Sequence, residues 1–336
     1  MDLLNAIVAL LNFVFIPAAA YGAQLALGAL GVTLIYGILR FSNFAHGDTM
    51  AFGTAMVILV TWWFQGMGIT LGPLPTALLA LPFGIALTSA LVLGTDRVVY
   101  RFYRKQKAAP VILVMVSLGV MFVMNGITRV IIGVEEIRFE DGERFVINAN
   151  DFKAATGLAE GLALRTTQVL TIVTAVIVVA VLFWFLNRTR TGKSMRAFSD
   201  NEDLALLSGI NPERVVMVTW IIAAGLATIA GTLYGLDKAF KAFNYFQLLL
   251  PIFAAAIVGG LGNPLGAIAG GFLVAFSEVA FTYAWKKVAT YVLPESLAPD
   301  GLAQLLSTDY KFAVSFAILI IVLLFKPTGL FKGKSV

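Results

Sequence analysis

One cluster of side chains in this sequence has the chemistry to handle protons or to contact a polar solute. The stretch SNFAHGD (42–48) lies between two apolar segments and holds the chain's single histidine, His46, together with Asp48. Polar groups at membrane depth are costly and tend to face a water-filled path or a satisfied partner. We therefore expect Asn43, His46 and Asp48 to line a path through a broken helix. A short turn in which Asp48 caps the next helix is an equally open interpretation.

A glycine-rich stretch, GGLGNPLG (259–266), follows a short apolar run and is a second candidate for the path. Short hydrophobic segments interrupted by glycine and proline often mark discontinuous helices at transport sites. A tight helical hairpin with close glycine packing explains the same pattern. The residues of this stretch that we expect to line the path are Gly259, Gly260, Gly262, Asn263 and Gly266.

Other chemistry is excluded by what the sequence lacks. Gly192-Lys193-Ser194 resembles the end of a phosphate-binding loop, but position 187 is asparagine where that loop requires glycine. The absence of cysteine and the single histidine exclude disulfides, thiol nucleophiles and histidine-rich metal sites. We expect no enzyme, no cofactor bound by this chain, no metal site and no nucleotide site.

The polar segment 191–212 predicts a helix exposed to water. Leu204, Leu207 and Ile210 recur at three-residue steps, acids crowd the predicted first turn, and Gly209 is suited to a C-terminal cap. Such a segment offers a surface for a soluble partner. An ordinary solvated connector explains the pattern equally well.

The elements that must position these groups are membrane helices. Of 336 residues, 59% are hydrophobic and 13% are charged, whereas soluble domains carry roughly a quarter charged residues. The sequence predicts an all-α, polytopic bundle of about eight to ten membrane segments, some discontinuous, in a single domain (1–336). The expected spans are 21–39, 49–64, 73–95, 109–132, 167–186, 215–236, 249–261, 264–285 and 312–325.

Charge gives the orientation, because basic loops face the cytoplasm. The basic loop at 97–107, the central loop 188–213 and the C-terminus (Lys326, Lys332, Lys334) are therefore expected inside. The loops 133–166, which is rich in acids, and 286–309 are expected outside. The net charge of +5 needs no nucleic acid as a partner. The N-terminal segment, which lacks a basic region before its apolar run, is interpreted as a membrane-embedded helix ending near Pro17 rather than a signal peptide.

Buried polar residues elsewhere have two interpretations. Glu278, Asn125 and Gln24 stand in apolar runs, where each is either functional or satisfied by a hydrogen bond between helices. An ion-coupled secondary transporter that uses His46, Asp48 or Glu278 as a relay, and a passive channel for small neutral solutes, are the rival functions.

Several collinear stretches resemble the LivH-type permeases of bacterial branched-chain amino-acid ABC transporters. They are GVTLIYGILRFSNFAHGDTMAFG (31–53), DRVVYRFYR (96–104), TGKSMRAFSDNEDLALLSGINPERV (191–215), AAAIVGGLGNPLGAIAGG (254–271) and STDYKFAVSFAILIIVLLFKPTGLF (307–331). The resemblance runs from about residue 21 to residue 331. It is less regular in the acidic outside loop and in 286–304.

The resemblance implies a multi-pass permease of the bacterial inner membrane that imports branched-chain or related amino acids, with urea or short amides as the alternative substrate. It implies three kinds of partner besides the lipid bilayer: a second, LivM-like permease, two cytoplasmic ATPase subunits that use ATP and Mg, and a periplasmic substrate-binding protein. It also implies that segment 191–212 is a coupling helix. The residues expected to couple to the ATPase are Arg196, Asp200, Glu202, Asp203, Ala205, Gly209, Ile210 and Asn211.

Overall fold

The computed structural model describes residues 2–139, 141–292, 301 and 303–331, and it is a bundle of membrane-length helices. The expected Lys332 and Lys334 of the C-terminus, and parts of the loops 133–166 and 286–309, lie outside the described residues. The helices are α1 (Asp2–Leu10), α2 (Ile16–Leu39), α3 (His46–Gly66), α4 (Ala77–Thr95), α5 (Arg101–Lys105), α6 (Pro110–Ile132), α7 (Ala149–Thr156), α8 (Thr166–Arg188), α9 (Arg190–Asp200), α10 (Glu202–Leu207), α11 (Pro212–Lys238), α12 (Ala242–Gly259), α13 (Pro264–Thr282), α14 (Lys286–Val292) and α15 (Lys311–Phe325).

Within the described part of the chain, eight helical stretches are long and apolar enough to cross a membrane. This confirms the predicted all-α, polytopic fold. We call the end of the bundle that carries loop 133–166 the outer end, and the end that carries α9 and α10 the inner end.

Helix α3 lies at the centre of the bundle and is not one of those eight. It packs against α4, α6, α11 and α12, and its side chains are buried continuously from His46 to Ile58. A helix enclosed by other helices does not need a lipid-compatible surface, so α3 can carry the buried polar residues His46, Asp48 and Thr54. Close approach depends on glycine: a Cβ at Gly53 would lie 2.4 Å from the Thr228 hydroxyl of α11.

The first helix is longer than the sequence predicted. The expected end near Pro17 is wrong, because α1 continues through a π-helical turn (Leu11–Phe15) into α2, giving one helix over Asp2–Leu39. Proline lacks the backbone N–H that would bond the preceding turn. A wider π-turn just before Pro17 allows the helix to continue past it.

Helix α12 is also longer than predicted, because it begins at Ala242 rather than near residue 249. Pro251 lies inside it without ending it. The segment is therefore a helix of 18 residues rather than the short run expected.

The outer end is covered by a short antiparallel hairpin of β1 (Phe145–Ile147) and β2 (Leu164–Arg165), with α7 and α14 beside it. Glu160 ties this cover together, because its carboxylate accepts from the Tyr291 hydroxyl (2.8 Å) and pairs with Lys287 Nζ (2.8 Å). Its backbone N–H donates to Asn5 of α1 at 3.2 Å. Burial alone would raise the pKa of Glu160, but the hydrogen bonds from Lys287 and Tyr291 and the nearby positive charges lower it overall.

Candidate functional site

Residues 40–45 interrupt the helix between α2 and α3, and the interruption is built into the local sequence. Arg40 adopts a left-handed conformation (φ 58°), and its N–H closes the last turn of α2 on the Tyr36 carbonyl at 3.0 Å. The chain then passes through Phe41 and Asn43, which are 2% and 3% exposed, before α3 begins at His46. This segment is therefore a buried connection rather than a surface loop.

Side chains from two other helices satisfy the polar groups of this connection. Asn43 Oδ1 accepts from the Ala45 N–H and from the Tyr100 hydroxyl, both at 3.2 Å. The Phe44 N–H donates to Ser117 Oγ of α6 at 3.1 Å. Buried backbone groups outside regular structure need such partners.

Asp48 lies in the first turn of α3, where a negative charge is favoured by the helix dipole. It does not cap that helix through a backbone hydrogen bond: the contact is Asn125 Nδ2 of α6 donating to Asp48 Oδ1 at 2.6 Å. Asn43 instead accepts the backbone N–H at the start of the helix. Asn125 therefore has the interhelical hydrogen bond that was one of its two interpretations.

The imidazole of His46 is enclosed by α2. A Cβ at Gly31 would lie 2.5 Å from His46 Cε1, so only glycine leaves room for the ring. His46 is 1% exposed, and its Nε2 has no hydrogen-bond partner among the described residues. Asn43, His46 and Asp48 are thus all buried, but each contacts a different neighbour, and their role in lining a path stays a prediction.

The second predicted group, 259–266, forms a hairpin at the inner end. A Cβ at Gly259 would lie 2.0 Å from the Gly266 carbonyl oxygen, and one at Gly266 would lie 2.2 Å from that of Gly259. Gly260 and Gly262 have φ values of 111° and 82°, which favour glycine. Asn263 Oδ1 caps α13 by accepting from the Gly266 N–H at 3.2 Å.

The hairpin also holds the C-terminal tail. The N–H groups of Leu330 and Phe331 donate to Val258 and Gly259 carbonyls at 2.8 and 3.2 Å, and Asn263 Nδ2 donates to the Phe331 carbonyl at 2.9 Å. This is the close glycine packing that was the second interpretation of the pattern. The contacts of the hairpin do not include Asn43, His46 or Asp48, so the predicted path residues fall into two groups.

The central loop contains two short helices rather than the single helix expected. Asn201 is the residue directly after α9, and it caps α10 by accepting from the Leu204 N–H at 3.0 Å. Glu202 and Asp203 occupy the first turn of α10, whereas Asp200 ends α9. Gly209, at φ 80°, ends α10 as expected, with Ile210 N–H bonding the Ala205 carbonyl at 3.1 Å. Asn211 caps α11.

The faces of these two helices differ in exposure. Ala205 is 3% exposed and faces the bundle, whereas Leu207 is 86% exposed and Leu204 is 62% exposed. Glu202 and Asp203 are exposed beside them. Arg196 bonds Asn187 Oδ1 at 2.9 Å and so braces α9 against the end of α8.

Two reciprocal hydrogen bonds join α9 to the end of α2. Ser199 Oγ donates to the Gly37 carbonyl at 3.0 Å, and Arg40 Nη2 donates to the Ser199 carbonyl at 2.5 Å. We call this pair the inner clamp. Sequence reasoning missed Ser199, Arg40, Tyr100 and Ser117. A polar residue standing in a helical run was the available signal for Ser117.

The two ends of the bundle each carry a polar cavity. The outer cavity, of about 590 Å³, is lined by residues of both charges at the outer ends of α8 and α11. The inner cavity, of about 510 Å³, lies between α9, the start of α11 and the basic helix α5, which carries Arg104 and Lys105 where the sequence predicted a loop. Over the described residues, no three His, Asp or Glu side chains group so as to hold a metal ion.

Comparison with known proteins assigns the chain to a family. Residues 15–323 match the family model described as the permease component of the branched-chain amino acid transport system. The chain belongs to this family. It is therefore a multi-pass membrane protein and the permease component of a transport system, which confirms the resemblance seen in the sequence.

Named relatives match along most of their length. The chain is 30% identical over 92% of its length to the high-affinity branched-chain amino acid transport permease LivH of Escherichia coli K12, covering 91% of that protein. It is 28% identical to BraD of Pseudomonas aeruginosa, with 92% of each chain covered. It is 26% identical to a probable LivH of Methanocaldococcus jannaschii, covering 93% of this chain and 90% of that one. No solved structure matches significantly.

Proposed function

We propose that this chain is a membrane permease subunit of an ATP-driven importer that carries branched-chain amino acids inward. The observation that carries the proposal is the exposed tip of α10, which directly follows α9, the helix that the inner clamp joins to the end of α2. The names of the relatives support the substrate class, because LivH and BraD are described as branched-chain amino acid permeases.

The tip of α10 is suited to a soluble partner. Leu204 and Leu207 are exposed beside the acids Glu202 and Asp203 at the end of the bundle that carries the basic loops. Exposed leucines next to each other in a water-facing loop are stabilised when a protein covers them. We infer that a cytoplasmic ATPase subunit covers this tip, and that a second ATPase subunit serves a second, LivM-like permease.

The inner clamp gives the tip a mechanical route into the membrane. A movement of α9 would displace the Gly37 and Arg40 end of α2, and Arg40 begins the connection that holds Asn43. ATP and Mg would be used by the ATPase subunits alone, and the permease itself would be non-catalytic. A periplasmic binding protein would deliver the amino acid at the outer end.

The proposed orientation of the chain in the membrane is supported by the packing of the C-terminal tail and by the positions of the basic loops. The tail that ends the described chain at Phe331 packs on the 259–266 hairpin at the inner end. With the basic loops inside, the C-terminus is cytoplasmic and the hairpin β1–β2 faces the periplasm. We infer that the bilayer is the bacterial inner membrane.

Co-purification after tagging this chain tests the assembly. We expect a second permease and ATPase subunits to accompany it, and we expect the reconstituted complex to take up leucine only with ATP and a binding protein. A chain that purifies alone and moves solute without ATP would contradict the proposal and favour a channel or a secondary transporter.

The docking role of the tip has a matched control. Leu207→Asp should remove the ATPase subunits from the purified complex, because a charge would replace an exposed apolar contact. Leu305 is 69% exposed at the outer end, so Leu305→Asp should leave the ATPase subunits bound. If the ATPase subunits co-purify equally with both variants, the tip of α10 is not their docking site.

A further inference from the structure

The outer cavity has fixed walls. On one side Ile137 and Phe240 exchange two backbone hydrogen bonds of 2.9 and 2.7 Å. On the other side the Thr76 N–H donates to Asp141 Oδ2 at 2.6 Å, and the Glu143 N–H donates to the Pro73 carbonyl at 2.8 Å. These contacts hold the segment after α6 against α4 and α11, so the cavity beneath it is a formed site.

The lining combines both signs of charge with an apolar surface. Arginines and one lysine stand opposite carboxylates, and Phe139 and Leu236 supply apolar area. The charged lining residues are Arg138, Arg144, Arg165, Lys238, Asp141, Glu143 and Asp237. A lining of one sign would attract ions of the opposite sign, whereas a mixed lining matches a solute that carries both charges.

Two carboxylates of this lining, Asp141 and Asp237, each have a buried oxygen without a hydrogen-bond partner among the described residues, and Asp237 is the one that lies beside Arg165. Its side chain is only 7% exposed, yet its Oδ1 atom has no hydrogen-bond partner among the described residues. The Arg165 Nη1 atom lies 3.8 Å from Oδ1, beyond hydrogen-bonding distance, and Lys238 Nζ lies 3.3 Å from Oδ2. Buried carboxylates normally accept hydrogen bonds, so a donor is missing at this position.

We propose that the outer cavity binds an amino acid as its zwitterion. The α-ammonium group donates to Asp237 Oδ1. The α-carboxylate accepts hydrogen bonds from the guanidinium of Arg165, a group suited to binding both carboxylate oxygens. An aliphatic side chain then packs on Phe139 and Leu236. This proposal rests on the proposed function, because it takes an amino acid as the transported substrate. It adds that the chain recognises the α-ammonium and α-carboxylate groups of that substrate.

The floor of the cavity is closed in this structure. A Cβ at Gly235 would lie 2.9 Å from the Tyr245 hydroxyl and 3.4 Å from Phe139 Cε2, so α11, α12 and the segment after α6 meet there. An amino acid received from outside would therefore stop at Asp237 until these elements separate. Urea has no formal charge and would leave both Asp237 and Arg165 without a charged partner.

Ligand variation on the unaltered protein is the first arm of the test. The full chain, with the subunits that co-purify with it but without binding protein, is placed in lipid nanodiscs and titrated while saturation-transfer NMR reports binding. L-leucine should bind at least tenfold more tightly than leucine methyl ester, which lacks the carboxylate, or 4-methylpentanoate, which lacks the ammonium. Urea should give no signal at the same concentrations. Equal binding of leucine and either analogue would overturn the proposal.

Substitution assigns the binding to this cavity. Asp237→Asn and Arg165→Gln should each weaken leucine binding at least tenfold, while Asp151→Asn, on the exposed face of α7 outside the cavity, should leave it within twofold. Leucine binding unchanged by Asp237→Asn would overturn the proposal, as would no leucine signal from the unaltered protein. Either result leaves the proposed function standing, because co-purification and ATP-dependent uptake test that separately.

Discussion

Residues 40–45 separate α2 from α3, and residues 260–263 separate α12 from α13, but the two breaks are held by different forces. The first is joined by polar side chains: Asn43, Ser117 and Asn125 supply hydrogen bonds to buried backbone or carboxylate groups. The second is joined by backbone packing, because Gly259 and Gly266 have no room for a Cβ. The first break can therefore exchange hydrogen-bond partners, whereas the backbone contact between Gly259 and Gly266 makes the second break a rigid corner that Asn263 only caps.

The largest effect should come from filling the second break. Gly266→Ala places a methyl group about 2.2 Å from a backbone oxygen, and overpacking that no side-chain rotation can relieve should cost more than about 3 kcal/mol. We expect loss of monodisperse protein in size-exclusion chromatography. Gly126→Ala is the control, because nothing lies within 4 Å of its Cβ. Equal yields from both variants would show that the corner is not rigid.

The next effect should come from the carboxylate contact of the first break. Asn125→Leu removes the donor to Asp48, leaving a buried carboxylate unsatisfied, and should cost about 2–3 kcal/mol in a denaturant titration followed by tryptophan fluorescence. The double change Asp48→Leu with Asn125→Leu should recover part of that loss, because no unsatisfied group remains. Additive costs would mean that the two side chains do not interact.

A paired substitution compares the two breaks directly. Asn43→Ala removes the acceptor of both the Ala45 N–H and the buried Tyr100 hydroxyl, and should cost about 2 kcal/mol. Asn263→Ala removes one part-buried helix cap and one exposed hydrogen bond to Phe331, and should cost about 1 kcal/mol. The same denaturant titration measures both. A larger cost at Asn263 would reverse the comparison.

The smallest effect on stability should come from the inner clamp. Arg40→Gln removes an exposed hydrogen bond to Ser199 and should cost less than about 1 kcal/mol. Under the proposed function its effect should appear in transport, as ATP hydrolysis that continues with reduced leucine uptake, because α9 is less firmly joined to the first break. Arg97→Gln, at an exposed arginine that lies outside the inner clamp and outside the lining of both cavities, tests whether loss of any exposed arginine has this result. Unchanged coupling in Arg40→Gln would remove the clamp from the mechanism.

The sequence predicted the helical class, most of the spans and the capping of α10 by Gly209, because these depend on local composition and spacing. It predicted that 42–48 and 259–266 are special, but it could not separate their roles. Glycine spacing is typical of close packing and of a transport site alike; the position of Gly266 against Gly259 shows the close packing, and a role of 259–266 in the path stays a prediction. The partners of Asn43 and Asp48 come from helices distant in sequence, so Tyr100, Ser117 and the inner clamp could not be inferred from local pattern.

The continuous helix over Asp2–Leu39 has a consequence for how motion would travel through the molecule. At 1.5 Å per residue its 38 residues extend about 57 Å, almost twice the roughly 30 Å of a hydrocarbon core. One end is fastened to α9 through Gly37, and the other is fastened to the outer cover through Asn5. Such a rod works as a lever with the membrane as its fulcrum: a tilt of about 10° about its midpoint would swing each tip by about 5 Å in opposite directions. A push at the inner end would thereby become a displacement of the outer cover, with α2 moving against α11 and α13, on which it packs.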